Sequence, residues 1–289
     1  MKSFTFGLAL ALAIGLAAAV IIAPIAAAGL AAAGLRFPFP RIFDRTVMVT
    51  VGGALLWFAR PLGLAELLRD GCADPLSNLR RALGGLALAL AAMATLFVAA
   101  ALLIHGHPSP AGLVARAARY LAAAVAIAFI EEVFFRAVLL AGIARDFGRA
   151  SALVLSSAVY SLTHLLRSPA RFYLTGFHPL AGVQDLSAST ARILHPGGAL
   201  PAIIGLFILG LVLGEAFMLT GRVWFSFGMH AGFVLGAKTW PLMARSGAPV
   251  PRWLAGPGPV PLIAAPAAWA LAAVLMILLP VMIGKRARR

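Results

Sequence analysis

Three ionisable residues interrupt one apolar stretch of the chain, Phe129-Ile130-Glu131-Glu132-Val133-Phe134-Phe135-Arg136. In a helix, residues four apart share a face, so Glu132 and Arg136 are predicted to form an ion pair. Glu131 is rotated by about 100° from Glu132, so this arginine does not lie directly above it. We expect Glu131 to face a neighbouring helix, and an ionisable group at membrane depth is a candidate functional residue.

Two other apolar stretches each carry a histidine, one at the end of Tyr160-Ser161-Leu162-Thr163-His164 and the other within the span 223–242, in Phe227-Gly228-Met229-His230. A carboxylate with an imidazole beside it can hold a water molecule and deprotonate it as a general base. A second imidazole can donate to the oxyanion that forms when this water attacks a carbonyl group. Glu131, His164 and His230 are therefore candidate catalytic residues for hydrolysis. Glu215 is a further acid in an apolar stretch, and we expect it to contact a neighbouring helix or to line the pocket.

The composition indicates the class of protein in which these residues lie. The 289 residues are 62% hydrophobic and 11% charged, with a mean hydropathy of +0.98. Soluble domains are about 25% charged, so a water-soluble globule is excluded. The apolar residues form unbroken runs of about 20 residues, which excludes an outer-membrane barrel with its alternating strands. The sequence predicts an integral membrane protein.

We predict an all-α, polytopic membrane helix bundle of about eight transmembrane helices. The predicted spans are roughly 5–30, 47–67, 82–104, 117–144, 149–166, 201–220, 223–242 and 262–283. They divide the chain into N-terminal transmembrane helices at 1–116, a catalytic core at 117–242, and a loop with a C-terminal transmembrane helix and basic tail at 243–289. Residues 1–30 are expected to be a retained signal-anchor. The loop 167–200 is expected to contain a re-entrant or interfacial segment.

The net charge of +15 points to lipid rather than to nucleic acid. Most basic residues lie in short stretches between apolar runs, and the last five residues, Lys285-Arg286-Ala287-Arg288-Arg289, follow an apolar segment. This placement is typical of contacts with anionic lipid headgroups. We expect the lipid bilayer as a partner, no nucleic acid, and a cytoplasmic C-terminal tail. The arginine-rich composition suggests a bacterial inner membrane.

Three motifs, each on its own predicted helix, carry a resemblance to a known family: Glu131-Glu132-x-x-x-Arg136, Tyr160-x-x-x-His164 and a motif that begins at His230. Over roughly residues 117–240 the chain resembles the CAAX protease and bacteriocin-processing (CPBP) family. Its members are intramembrane glutamic endopeptidases, including CAAX prenyl endopeptidases. The resemblance implies that Glu131 is the water-activating base and that His164 assists it. It implies an oxyanion-stabilising role for His230 and a structural role for the ion pair.

Two positions depart from the pattern of the family. The family usually has phenylalanine four residues before its second-motif histidine, where this chain has Tyr160. It has asparagine or aspartate four residues after the third-motif histidine, where this chain has Val234. Valine neither donates nor accepts, and losing one oxyanion donor typically costs about 100- to 1000-fold in rate. Ser226, one turn before His230, is a candidate substitute donor.

The sequence therefore favours an intramembrane glutamic endopeptidase that cleaves a membrane-anchored protein or peptide without a cofactor. One alternative is a catalytically inactive family member that acts as a membrane scaffold, immunity or regulatory protein, which Val234 favours. A second is a zinc-dependent membrane protease with Glu131, His164 and His230 as ligands, since two histidines and a glutamate are a known catalytic set. A third is a transporter in which the acids and histidines relay protons.

Overall fold

A computed structural model describes most of the chain, namely residues 3–60, 62–64, 74–104, 110–164, 172–195, 197–244, 250–257 and 262–284. Within these ranges the regular elements are all helical. Four of the described helices are long and apolar enough to cross a membrane, at Phe4–Ala32, Pro75–Leu103, Gly197–Thr220 and Pro266–Ile283. The predicted all-α membrane protein is thereby confirmed, whereas the number of about eight transmembrane helices stays a prediction.

The contacts divide the chain into two compact units. The first unit, residues 1–65 and 162–197, contains α1 (Phe4–Ala32), α2 (Phe39–Trp57) and α7 (Ala181–Leu194). The second unit, residues 66–161 and 198–289, contains the helices that carry both glutamates. These are α3 (Pro75–Ile104), α4 (Pro110–Glu132), a π-helical segment (Val133–Leu140), α5 (Ala141–Phe147), α6 (Arg149–Thr163, whose last two residues fall in the first unit), α8 (Leu200–Thr220), α9 (Val223–Ala244), α10 (Arg252–Ala255) and α11 (Pro266–Gly284). The organisation into three sequence segments stays a prediction.

In the first unit, α1 packs against α2 and α7 around a small apolar core that includes Ala23, Phe39 and Ala181. Helix α2 begins at Phe39, earlier than the predicted span 47–67. Proline is favoured in the first turn of a helix, and Pro40 lies in the first turn of α2. Helix α7 lies inside the predicted loop 167–200. Gly182 brings it so close to α1 that a Cβ atom there would overlap the backbone of Val20.

In the second unit, α9 packs against α3 through glycines spaced four residues apart, Gly228, Gly232 and Gly236. A Cβ atom at Gly228 would overlap the carbonyl oxygen of Ala82, and one at Gly232 would lie 2.6 Å from the Cβ atom of Ala89. Small residues at this spacing let two helices approach until their backbones are in contact, as in many membrane proteins. We call this contact between α3 and α9 the glycine seam. It fixes the position of α9 and of the residues that α9 carries.

The predicted single helix over 117–144 is interrupted just after the two glutamates. The α-helical hydrogen bonding of α4 ends at Glu132, and the π-helical segment follows with a wider turn. At the end of this segment the Ala141 N–H donates to the carbonyl oxygen of Arg136, five residues back, whereas an α-helix bonds residues four apart. Such segments are rare and occur frequently at functional sites.

Many large apolar side chains face outwards. Ile21, Leu102 and Ile277 are 66%, 72% and 71% exposed. Exposing such side chains to water is unfavourable, whereas contact with lipid acyl chains is not. The exposed apolar surface therefore agrees with an integral membrane protein. The basic tail at 285–289, whose cytoplasmic location was predicted, lies outside the described residues.

Candidate active site

The polar side chains of the second unit meet where α4, the π-helical segment, α6 and α9 come together. Helix α4 supplies Glu131 and Glu132 at its last turn, and the π-helical segment supplies Arg136. Helix α6 supplies Tyr160, and α9 supplies Ser226 and His230. Helix α9 packs against both α3 and α4, so the glycine seam and this contact together hold His230 beside the two acids.

Glu132 is the inner of the two acids, with a side chain that is completely buried. Its Oε2 atom lies 3.4 Å from Nε of Arg136, which is itself 1% exposed. Its Oε1 atom lies 2.9 Å from Nδ1 of His230. The hydroxyl group of Ser226 is within hydrogen-bonding range of this carboxylate and of the carbonyl oxygen of Val223, and its one proton can serve only one of them at a time. The buried carboxylate is thus held from several sides.

Glu131 is the outer acid, and a quarter of its side chain is exposed. Its Oε2 atom lies 3.7 Å from Nε2 of His230. At this distance the two atoms are too far apart for a direct hydrogen bond but close enough to bind one water molecule together. The two neighbouring glutamates therefore differ in surroundings: Glu132 is enclosed by protein, whereas part of the Glu131 side chain is exposed and its Oε2 atom is buried.

His230 is 2% exposed and directs its two ring nitrogens at different acids. An ionised carboxylate only accepts hydrogen bonds, so the 2.9 Å contact places the Nδ1 proton of His230 between this nitrogen and Glu132. A hydrogen bond at one ring nitrogen fixes both the orientation of the ring and the protonation of the other nitrogen. The Nε2 atom is consequently the nitrogen that faces Glu131.

Tyr160 completes the cluster and is 1% exposed. Its hydroxyl group hydrogen-bonds to the carboxylate of Glu131. The guanidinium group of Arg136 lies over its ring, 4.9 Å from the centroid, within the range of a cation–π contact. Phe135 and His230 meet the same ring edge to face, at centroid distances of 5.0 and 6.2 Å. Phe135 was not predicted as a site residue, because a phenylalanine in an apolar run gives no signal beyond burial.

Three other predicted site residues lie on helices α8 and α9 or directly after α6. His164 directly follows the last residue of α6, is half-buried, and belongs to the first unit, so its role beside Glu131 stays a prediction. Val234 lies on α9, one turn beyond His230, and is half-buried. Glu215 lies half-buried on α8. The roles of these residues also stay predictions.

Two further features bear on what the site can bind. Within the described part of the chain, no group of three or more His, Cys, Asp or Glu side chains is arranged to hold a metal ion, so the zinc alternative gains no support. The second unit also has an apolar cavity of about 70 Å³, bordered by α3, α8, α9 and α11. Phe233, Trp269 and Leu275 line this cavity, and the glutamates do not.

In a helical membrane protein, a buried acid and a buried histidine that meet at a helix junction mark a candidate functional site. Residues 113–236 match one family model, described as Type II CAAX prenyl endopeptidase Rce1-like. This segment, which contains Glu131, His164 and His230, is similar to the CAAX protease family. The resemblance inferred from the motifs and the expected peptidase activity are thereby confirmed. No curated protein and no solved structure matches the chain.

Proposed function

We propose that this CAAX-type intramembrane protease uses a glutamic mechanism, with Glu131 as the base that activates water. The supporting observation is the contrast between two adjacent acids. Glu132 is completely buried against Arg136 and His230, whereas Glu131 is a quarter exposed and faces Nε2 of His230 at 3.7 Å. A general base must reach solvent or substrate, and of these two acids only Glu131 has exposed side-chain surface.

In the proposed reaction, a water molecule binds to Glu131 and His230 and loses a proton to the Glu131 carboxylate as its oxygen attacks the scissile carbonyl carbon. The carbonyl electrons move onto oxygen, and His230 stabilises the resulting oxyanion as an imidazolium, which carries one proton on Nδ1 toward Glu132 and donates the other from Nε2. The tetrahedral intermediate then collapses, the C–N bond breaks, and the leaving amine takes the proton back from Glu131. We assign His164 to assist this proton transfer.

The substrate we propose is a membrane-anchored protein or peptide. Phe129 and Ile130, the two residues before Glu131, are about half exposed, at 50% and 51%. An exposed apolar surface directly beside an accessible carboxylate suits a peptide bond presented at a lipid surface. We place the protein in the bacterial inner membrane, with its C-terminal tail in the cytoplasm, and expect no cofactor to take part.

The test is cleavage of a farnesylated peptide that ends in a CAAX sequence, presented in lipid vesicles with the purified protein. We expect Glu131→Gln to lower the rate by about 100- to 10,000-fold, the usual contribution of a general base. Asp146→Asn is the matched control, since it likewise replaces a carboxylate by an amide, at an exposed position of the same unit. Equal activity of Glu131→Gln and the wild type would overturn the glutamic mechanism.

A second candidate function is that of a catalytically inactive member, a scaffold or regulator. Val234 favours it, because valine supplies no hydrogen bond where the resembled family has an asparagine or aspartate. This alternative requires that the folded wild type cleaves neither prenylated nor unprenylated membrane peptides. It also requires that Glu131→Gln leaves the cellular phenotype of the protein unchanged.

A further inference from the structure

Five side chains of the second unit form a closed circuit of contacts. The Tyr160 hydroxyl group bonds to Glu131, and Glu131 Oε2 lies 3.7 Å from His230 Nε2. The circuit continues from His230 Nδ1 to Glu132 Oε1 at 2.9 Å and from Glu132 Oε2 to Arg136 Nε at 3.4 Å. It closes where the guanidinium group of Arg136 lies 4.9 Å from the ring centroid of Tyr160. Tyr160 therefore touches both ends of the chain of charged groups.

We infer that Tyr160 is a positioning residue, whose hydroxyl group holds the Glu131 carboxylate in the orientation that activates water. This inference rests on the proposed role of Glu131. It assigns to the tyrosine hydroxyl a task that phenylalanine, the residue usual at this position in the resembled family, cannot perform.

The ring of Tyr160 is held firmly enough to direct its hydroxyl group. Phe135 packs against it edge to face at 5.0 Å, and Arg136 covers one of its faces. The residue is 1% exposed, and burying its hydroxyl group without a hydrogen-bond partner would be unfavourable. The bond to Glu131 meets this requirement, and it gives a fixed donor to the more exposed of the two acids.

Glu131 needs such a donor more than Glu132 does. Glu132 is completely buried, and Arg136 and His230 hold it in place. The side chain of Glu131 is a quarter exposed, and a glutamate has enough rotatable bonds to leave a reactive geometry. Loss of about 1 Å in the placement of a reacting group can cost about 100-fold in rate, so a fixed hydroxyl contributes through orientation.

The experiment is the Tyr160→Phe variant in the vesicle assay, because it removes the hydroxyl group and keeps the ring that contacts Phe135 and Arg136. We expect kcat to fall roughly 10- to 100-fold while KM and the thermal unfolding midpoint stay close to those of the wild type. Tyr120→Phe is the matched control, a half-buried tyrosine on α4 with Arg119 over its ring, and we expect it to leave kcat unchanged.

The outcomes separate this inference from the proposed function. If Glu131→Gln abolishes cleavage and Tyr160→Phe does not reduce kcat, the positioning role is wrong and the role of Glu131 stands. If Glu131→Gln stays active, the proposed function itself fails. A higher KM at unchanged kcat, or a lower unfolding midpoint that accounts for the lost activity, would also overturn the positioning role.

A combined variant tests a competing role for the same hydroxyl group. If Tyr160 supplied the oxyanion donor that Val234 cannot, then Val234→Asn would restore the activity of Tyr160→Phe. If Tyr160 positions Glu131, Val234→Asn changes the rate by the same factor whether residue 160 is native or substituted, because independent effects are additive. Restoration confined to the Tyr160→Phe background would therefore overturn the inference.

Discussion

Glu132 and His230, 98 residues apart in the chain, share a buried hydrogen bond of 2.9 Å between Oε1 and Nδ1. This bond joins α4 to α9 inside the second unit and orients the imidazole ring. The same ring directs its other nitrogen at Glu131, 3.7 Å away. One side chain thus connects the structural acid of the pair with the accessible one, and the variants below test each part of this arrangement.

The buried acid should contribute more to stability than its neighbour. Glu132→Gln leaves the buried Arg136 guanidinium without its carboxylate, and breaking a buried pair costs about 3–5 kcal/mol. We expect a clear fall in the unfolding midpoint, measured by thermal unfolding in detergent. Glu131→Gln, at the exposed position next to it, should change the midpoint little.

Removing both charges should recover part of that loss. In the Glu132→Gln, Arg136→Met double variant no unpaired charge stays buried, so its midpoint should lie above that of Glu132→Gln alone. If the two single Gln variants unfold at the same temperature, the structural assignment of Glu132 is wrong.

The glycine seam predicts opposite results at two adjacent positions of α3. A Cβ atom at Gly85 would overlap the carbonyl oxygen of Phe225 and lie 2.9 Å from the Met229 nitrogen. Gly85→Ala should push α9 away, with a destabilisation of about 1–3 kcal/mol and a loss of cleavage, because Met229 precedes His230. Thermal unfolding and the vesicle assay measure the two effects.

Gly84→Ala is the matched control for this prediction. A Cβ atom there has its nearest neighbour, Cε2 of Phe225, at 3.7 Å, an ordinary contact. Alanine is favoured over glycine within a helix by about 0.5–1 kcal/mol, so this variant should be as stable as the wild type or more stable. Equal destabilisation by the two alanines would contradict the close approach of α3 and α9.

Val234→Asn should raise the cleavage rate. It introduces an amide one turn beyond His230, and an oxyanion donor typically contributes about 100- to 1000-fold when its geometry is ideal. We expect a smaller gain, of roughly 10-fold, in kcat at saturating substrate, since the surrounding residues are not adapted to the amide. Val234→Leu, which adds volume without a donor, should show no gain, and an equal response of both variants would point to packing instead.

Chelation should leave the activity unchanged. In the described residues no set of three metal-binding side chains is assembled, and Nδ1 of His230 is hydrogen-bonded to Glu132. We expect the cleavage rate to be the same before and after treatment with a strong chelator. Activity that is lost on chelation and returns with added Zn²⁺ would favour the zinc-dependent alternative.

The sequence predicted the parts of the site that depend on local geometry. Helical spacing alone places Glu132 and Arg136 on one face, and their atoms lie 3.4 Å apart. The composition was sufficient for an all-α membrane protein, because apolar content and run length are properties of the sequence itself. The resemblance to the family of the matching model followed from three motifs whose order and spacing are visible without coordinates.

Other parts depend on tertiary contacts that no local pattern carries. From the sequence, the π-helical segment at Val133–Leu140 is predicted to be part of one continuous apolar helix. The bond from His230 to Glu132 joins residues on different helices, so spacing along one helix could not reveal it. The hydroxyl group of Tyr160 was noted as a departure from a motif, but its contact with Glu131 depends on how α6 packs.

The glycine seam also restricts how a peptide could reach Glu131. At Gly228 the backbone of α9 lies against the backbone of α3, at Gly232 it lies against Ala89, and at Gly236 it lies against the side chain of Met93, so a polypeptide could pass between α3 and α9 only if these two helices separated. His230 sits about 200° around α9 from Gly228, on the side turned away from α3. A substrate that reaches Glu131 therefore approaches along a side of α4 other than the one that the contact between α3 and α9 closes.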